Sequence, residues 1–320
     1  MVISNEAKDL ENQLRSYSKR ADSYEKAEAQ EAALKVIPIL EVQEAALGGL
    51  RGELKDSDEE SRELVGRCPE AALTKSLLRW FKEDFFEWVD TLDCLGCGKK
   101  THRTGAAEPE AYERLKSAGR VELHGCDDCA VVRRFPRYND PVQLLASRKG
   151  RCGEWANCFT LCCCAVGLDA RLVVDWTDHV WTEVWSAKEE RWLHADPCEN
   201  VIDKPLLYEK GWGKKLNYVA AFGQHGVSDV ARRYTANYEE TLGRRSFFDE
   251  ERFAELIASA NMEKLNRLSR KNRDWELLRQ ERERFELLKE QNSSTKERLR
   301  PRQSGAADWI RERGEDGLHP

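Results

Sequence analysis

The chain has 320 residues, of which 34% are charged, and a formal net charge of −6. That length suits one large domain or a core with appendages, and a pI near 5.7 argues against a general nucleic-acid binder. No run approaches the ~18 apolar residues of a membrane helix, and the N-terminus lacks the apolar region of a signal peptide, so no membrane insertion is expected.

Residues 1–35 read as one helix. Leu10, Leu14, Tyr17, Ala21, Tyr24 and Ala27 are spaced by three or four and share a stripe, and Pro38 ends it. Such a helix either lies on the domain surface or binds a partner. Residues 40–67 are mostly polar, with Gly48, Gly49 and a DSDEES run, and read as a linker. Residues 71–89 predict an amphipathic helix carrying Trp80, Phe81, Phe85, Phe86 and Trp88. The stretch EPEAYERLKSA (108–118) predicts another helix, ended by Gly119.

A further helix is expected to begin at Cys152. Trp155, Phe159, Cys162, Cys163 and Val166 form its buried face, and Gly167 stops it. ARLVVDW, HVWTEVWS and RWLHADP follow as candidate antiparallel strands, and NYVAAF is strand-like. Residues 229–290 read as helical. Within them 263–290 predicts a long solvated helix, with Leu268, Trp275, Leu278 and Phe285 near heptad spacing but interrupted by charges. Residues 293–320, with Pro301, Gly305, Gly314 and Gly317, read as disordered. The expected division is therefore 1–67 (helix and linker), 68–137 (helix plus metal lobe), 138–228 (core), 229–292 (helices) and 293–320 (tail). Eight of the ten tryptophans fall between Trp80 and Trp212, which marks the packed middle.

Eleven cysteines, an odd number clustered as CFTLCCC and as CxxC pairs, do not form a secreted disulfide pattern. Reduced thiols with a metal site fit better, so a cytoplasmic location is expected, with the nucleus as a second option. Cys94-x2-Cys97 and Cys126-x2-Cys129 are two metal half-sites 28 residues apart. Each CxxC turn can supply two thiolates to one tetrahedral ion, and four of them leave no open position. One structural zinc is expected. Redox-active pairs are the weaker reading, because no thioredoxin-like context surrounds them. His102 and His124 read as surface residues.

Chance pairing of a histidine with one of eleven cysteines is easy, so position must discriminate. Cys152 stands at the predicted helix N-terminus, where the partial positive charge lowers a thiol pKa. Cys158, Cys162, Cys163 and Cys164 lie deeper in that helix and read as small buried side chains. His179 opens one strand and Asp196 closes the next. A thiolate nucleophile, an imidazole that accepts and returns a proton, and a carboxylate that orients it make a hydrolytic set.

The segments GRCGEWANCFTLCC, DHVWTEVWS, RWLHADPCE and DKPLLYEKGWGKKLNYVAAF, with the CxxC pairs upstream, carry a resemblance over about residues 77–222. The stretch closely resembles the cytosolic peptide:N-glycanases, deglycosylating amidases of the transglutaminase-like superfamily. The resemblance implies an α+β fold: a transglutaminase-like, papain-like cysteine hydrolase core, an inserted zinc-binding lobe with four cysteine ligands, and peripheral N- and C-terminal helices. It makes Cys152 the nucleophile, His179 the base and Asp196 the orienting carboxylate. It places Trp88 near the scissile carbonyl and offers Arg171, Glu183, Trp192, Glu199 and Trp212 as glycan contacts. It also implies the reaction: cleavage of the GlcNAc–Asn amide through a thioester, Asn becoming Asp. The substrates would be misfolded N-glycoproteins with high-mannose glycans, in endoplasmic-reticulum-associated degradation. The length leaves no room for the terminal modules of longer animal members, so a minimal, fungal-type form is expected. In that form residues 5–35 and 229–290 would contact a proteasome shuttle factor with a ubiquitin-like domain. Two other readings stand beside it. One is a transglutaminase or thiol peptidase, although GRCGEWANC departs from the GQCWVF-like stretch of transglutaminases. The other is a non-catalytic adaptor, against which the intact triad argues.

Overall fold

A six-stranded antiparallel sheet is buried on both faces, and its two faces carry different chemistry. The computed structural model describes residues 5–54, 58–224, 226–289 and 299–317. The chain opens with α1 (Asn5–Ala21), α2 (Ala27–Leu34), α3 (Ile39–Leu50), α4 (Glu59–Arg67) and α5 (Pro69–Trp80), the last running into a π-turn at Phe81–Phe85. The single helix expected over 1–35 is thus broken at 22–26. There Tyr24 turns inward and donates from Oη to Asn157 Oδ1 at 2.7 Å. Leu10, Leu14, Ala21 and Tyr24 are buried as the stripe predicted, but Ala29 and Ala33 replace Ala27 on the buried side.

The expected linker over 40–67 is instead helical. Gly48 and Gly49 are buried within α3, and a Cβ on Gly49 would come within 2.7 Å of Val65 of α4. Their role is to let two helices approach closely, which in sequence reads like loop flexibility. The acidic run lies partly outside the described residues, but Glu59 and Glu60 open α4, where negative charge complements the helix dipole.

Next come β1 (Glu87–Trp88), β2 (His102–Ala107), α6 (Ala111–Leu115), β3 (Ala118–Gly125) and β4 (Val132–Tyr138). The strands β2-β3-β4 form a separate antiparallel sheet. The helix expected over 108–118 shrinks to α6, and Gly119 lies in β3 rather than ending a helix. After α7 (Pro141–Ser147) and β5 (Lys149–Gly150), α8 spans Cys152–Ala165, starting at the expected residue.

The main sheet then follows: β6 (Ala170–Asp175), β7 (His179–Ser186), β8 (Arg191–Asp196), β9 (Val201–Ile202), β10 (Val219–Phe222) and β11 (Val227–Asp229). A second π-turn at Leu207–Gly211 lies between β9 and β10. The spatial order is β11-β10-β6-β7-β8-β9. One face sends Leu172, Val174, Val184 and Leu193 against Phe159 and the cysteines of α8. The other sends Val173 and Trp181 against Tyr208, Trp212 and Tyr234. Cover on both faces explains why these strands are nearly continuous in apolar residues.

A 3₁₀ turn at Ala231–Tyr234, α9 (Tyr238–Gly243), α10 (Glu250–Leu265) and α11 (Arg270–Leu288) complete the helices before a final α12 (Ala307–Glu312). The long helix expected at 263–290 breaks before Arg270, where Ser269 caps the new start by accepting from Asn272 N–H. In α11 the usual amphipathic arrangement is reversed: Glu276 and Glu283 are buried, while Trp275, Leu278 and Phe285 are exposed. The tail expected to be disordered also differs. Residues 290–298 and 318–320 lie outside the described residues, but 299–317 fold onto the sheet edge with Arg302, Ser304 and Glu315 buried. A short polar segment shows no periodicity and takes its order from tertiary contacts. We call it the strap.

Candidate active site

Cys152, His179 and Asp196 arrive from the N-terminus of α8, the start of β7 and the end of β8. His179 and Asp196 are fully buried, and Cys152 is half-buried. His179 Nε2 lies 2.8 Å from Asp196 Oδ2. An ionised carboxylate only accepts, so Nε2 carries the proton. Nδ1 is buried, has no other partner among the described residues, and is the nitrogen left for the Cys152 thiol. Burial opposes ionisation of the thiol, but the hydrogen bond and charge of His179, with the charge of Arg302, outweigh it and draw the Cys152 pKa below its ordinary value. Burial likewise opposes charging of His179, yet Asp196 and Cys152 raise its pKa. Shifts in these directions favour a thiolate–imidazolium pair.

Asp196 is held ionised. Burial would raise its pKa, but the charge and hydrogen bond of His179 and the hydroxyl of Tyr208 push it well below the carboxylate range. Its Oδ1 accepts from Cys198 N–H at 2.8 Å and Glu199 N–H at 3.3 Å, and its Oδ2 accepts from Tyr208 Oη at 3.0 Å. Tyr208 in turn lies 2.7 Å from His194 Nε2, whose Nδ1 accepts from Lys204 N–H. Tyr208 has one proton and gives it to Asp196, so His194 Nε2 must donate. Burial lowers His194 to about 4, which keeps that ring neutral. The tautomer of His194 is therefore fixed two groups away from His179. Neither Tyr208 nor His194 stands out in the sequence.

The start of α8 is held by charge. Glu154, one turn into the helix, accepts from Arg151 N–H at 3.0 Å and is gripped by two guanidinium nitrogens of Arg137, each at 2.6 Å. Arg137 and Arg151 also share Glu122 of β3. A Cβ on Gly150 would overlap Glu154, which accounts for the glycine two residues before the thiol. These ion pairs tie the small sheet to the helix that carries Cys152.

Trp88 pairs with Gly150 through β1 and β5, which brings it beside the thiol segment. Its indole N–H donates to Asp90 Oδ1 at 2.8 Å. Trp212 stands edge-on to His179 with ring centres 4.8 Å apart. Glu199 is buried next to Asp196 and its two oxygens accept N–H from Gln303 and Ser304 of the strap. Arg171, Glu183 and Trp192 share the sheet face of His179 but lie at its far end. Glu183 is four residues along β7, roughly 13 Å away at strand rise. Arg171 bonds Glu183 at 2.6 Å and stacks over Trp192 at 3.8 Å, while Arg233, Tyr234 and Glu283 complete a buried cluster.

The two CxxC pairs meet. The sulfurs of Cys94, Cys97, Cys126 and Cys129 all lie within 4.8 Å of one another. Four sulfurs at ~2.3 Å from one tetrahedral ion would be about 3.8 Å apart, so the donor set fits a single metal. Register explains the meeting: β2 begins by pairing His102 with Gly125, and Gly125 precedes Cys126 at the tip of the β3–β4 hairpin. Backbone N–H groups of Cys97 and Gly96 lower the Cys94 thiol to about 7. His102 is exposed as expected. His124 is not a surface residue: it is fully buried in β3, edge-on to Phe135, and burial lowers its pKa.

A cleft of about 550 Å³, reaching Cys198 but not lined by the triad itself, is bounded by Phe85, Trp88, Asp90 and Trp155 on the core side and by Gln303 to Gly305 of the strap. Sequence reasoning missed this wall, since only the packing of residues 299–317 reveals it.

The family description for the transglutaminase-like superfamily matches residues 101–197, and that for the Rad4 transglutaminase-like domain matches 176–288. Three relatives are named peptide-N(4)-(N-acetyl-beta-glucosaminyl)asparagine amidase. That from Gallus gallus is 46% identical over 92% of this chain, and that from Homo sapiens is 44% identical over 92%. In each case the match spans 44% of the relative's length. That from Yarrowia lipolytica is 37% identical, over 92% of this chain and 81% of its own. Among solved structures, Rad4–Rad23 bound to a 6-4 photoproduct UV lesion aligns with a TM-score of 0.51 at 18% identity, covering 89% of this chain and 61% of that one. It shares the fold.

Proposed function

The chain belongs to the peptide-N(4)-(N-acetyl-beta-glucosaminyl)asparagine amidase family, and we propose that it performs the reaction in that name, with Cys152, His179 and Asp196 as its catalytic residues. The observation that carries this reading is the buried Asp196–His179 pair with Nδ1 left for a thiol of lowered pKa. The Cys152 thiolate attacks the side-chain amide carbon of a glycosylated asparagine. The C–N bond breaks, and the imidazolium gives its proton to the departing glycosylamine. The resulting thioester is opened by water, whose proton goes to His179, and the peptide leaves with aspartate. The freed amino-sugar loses ammonia to water in solution. The N–H groups at the start of α8 supply backbone donors for the oxyanion in this reading, whereas the Trp88 indole N–H is engaged by Asp90.

The four-cysteine cluster is read as a structural zinc site, its thiolates supplying the charge and softness that zinc takes. Glu199 and Trp212 stand beside the triad but are buried, Glu199 with both oxygens taken by the strap, so in this reading they shape the site from beneath the glycan. Arg171, Glu183 and Trp192 would act only at a distance, by holding the sheet face in place. Misfolded N-glycoproteins with high-mannose glycans, delivered in endoplasmic-reticulum-associated degradation, are the substrates of this reading. The outward apolar row Trp275, Leu278 and Phe285 on α11 supports docking of a ubiquitin-like-domain shuttle factor. Eleven thiols, with four packed as side chains in α8, support a reducing compartment: the cytoplasm, with the nucleus as a second.

The test is mass spectrometry of a denatured high-mannose glycoprotein incubated with the chain in oxygen-18 water. Release of the whole glycan with one labelled oxygen in the new aspartate is expected. An unchanged glycopeptide from metal-loaded protein would overturn the amidase reading.

A further inference from the structure

The strap brings one cation against tryptophans that border the thiol site. The Arg302 side chain is fully buried. Its guanidinium carbon lies 4.7 Å from the ring centre of Trp212, 4.5 Å from Trp309 and 5.8 Å from Trp88. Nη1 binds Glu315 at 2.6 Å and Nε donates to Ser304, but Nη2 is buried without a partner among the described residues. A guanidinium carries five donors, and leaving some unshared in a buried site is unfavourable. Such a cost points to a partner that arrives with a ligand or a reacting group.

The strap is fastened at points that surround the triad. Glu199, three residues after Asp196, accepts both strap N–H groups. Asp178, immediately before His179, is bound by Arg313 at 2.8 Å. Strap backbone also packs against Gly211, where a Cβ would lie 2.5 Å from Arg300 O. Two of the rings around Arg302 are themselves at the site: Trp212 touches His179, and Trp88 pairs with the thiol segment.

We propose that Arg302 is a working part of the thiol site, delivered by the strap: its charge stabilises the Cys152 thiolate, and its unshared Nη2 donors bind the oxygen of the carbonyl brought to that thiolate. The second half rests on the amidase reading, and the first does not. The charge acts on both members of the pair. Arg302 lowers the pKa of Cys152 and, by repulsion, that of His179. Removing it therefore raises both, and the pH range of the thiolate–imidazolium pair moves upward as a whole. The titratable and charged groups facing the thiol are His179 and Asp178 on β7 and its approach, Cys198 after β8, Tyr17 of α1, and Arg302. Glu315 faces Arg302 and is shared with Lys214 and Arg313.

Two measurements on the full chain separate the halves. The first is the pH dependence of Cys152 alkylation by iodoacetamide, which needs no glycoprotein. The second is kcat for glycan release. In Arg302→Gln the alkylation midpoint is expected to move up by roughly one pH unit, making alkylation about tenfold slower below it, and kcat is expected to fall at least tenfold. Arg302→Lys keeps the charge but loses the fork, so its midpoint should stay near wild type while kcat stays low. A wild-type midpoint and kcat in a folded Arg302→Gln would overturn the proposal. Should that variant fail to fold, Arg302→Lys decides: a lowered kcat with the midpoint held supports the inference, and unchanged kcat refutes the donor role. Loss of glycan release in the wild-type chain would defeat the amidase reading while leaving the alkylation shift to be judged alone.

Discussion

The same face of the main sheet carries two buried charged clusters, and they are finished differently. At the far end Arg171, Glu183, Arg233, Glu283 and Tyr234 bond one another, with Glu286 on the rim. None of their side-chain atoms is a buried orphan. At the near end His179 Nδ1, Arg302 Nη2 and the indole nitrogen of Trp212 are buried and unshared among the described residues. A closed network fixes one packing arrangement, here the docking of α11 and the 3₁₀ turn on the sheet. An open one keeps donors and acceptors for something that comes and goes. Burial and charge alone do not separate these two clusters, whereas leftover hydrogen-bonding capacity does.

Four changes would break or sharpen that contrast, in falling order of effect. Cys152→Ala should reduce glycan release by about 10⁴-fold or more with Tm unchanged; turnover close to that of the wild type would remove the nucleophile assignment. Asp196→Asn keeps the shape but frees His179 to adopt the wrong tautomer, and a fall in kcat of roughly 10³–10⁴-fold is expected. Steady-state kinetics at saturating substrate reads it.

At the closed end, Glu183→Gln leaves Arg171 and Arg233 short of a counter-charge and should cost about 3–5 kcal/mol in denaturant unfolding. The pH profile of Cys152 alkylation should not move, and a shift there would mean the two clusters are coupled. Part of the acid limb of stability belongs to the same cluster. Burial notwithstanding, Arg171 and Arg233 hold Glu283 at about 2, below the ~4.3 of an exposed glutamate. The unfolded chain binds that proton first, so the stabilisation is complete above about pH 5 and drains as the pH falls toward 2. Acid unfolding followed by circular dichroism should show this limb flattened in a Glu283→Gln variant.

Tyr208→Phe is the mildest change. It takes one donor from Asp196 and leaves His194 Nε2–H without an acceptor, so kcat should fall about tenfold, as read by steady-state kinetics.

Legibility in the sequence follows the range of the forces involved. The start of α8 at Cys152 and the strands around His179 and Asp196 rest on local pattern: apolar runs, β-branched residues, and glycines at the boundaries. The metal cluster can be read from spacing, because each CxxC turn fixes two donors locally. By contrast, Gly48 and Gly49 look like linker residues because their partner, Val65, lies on another helix. The exposed row on α11 looks like a solvated seam because Glu283, which turns inward, finds its arginines on β6 and the 3₁₀ turn. Residues 299–317 look unstructured because the contacts that anchor them to the core, at Asp178, Glu199 and Gly211, are distant in the chain. Arg302 cannot be singled out among many arginines until Trp88, Trp212 and Trp309 are seen to enclose it.

The strap has a consequence for how the chain comes into being. Arg302 is encoded 150 positions after Cys152 (302 − 152). During synthesis on the ribosome the α8 helix and its sheet emerge first, so a nascent core holds its nucleophile before it holds the cation beside it. With Arg302 as the stabilising charge, such a core carries a thiol of weaker acidity, slow toward any amide it meets. Reactivity would switch on when residues 299–317 leave the exit tunnel and seat, so chemical competence would serve as a record that translation has passed that point.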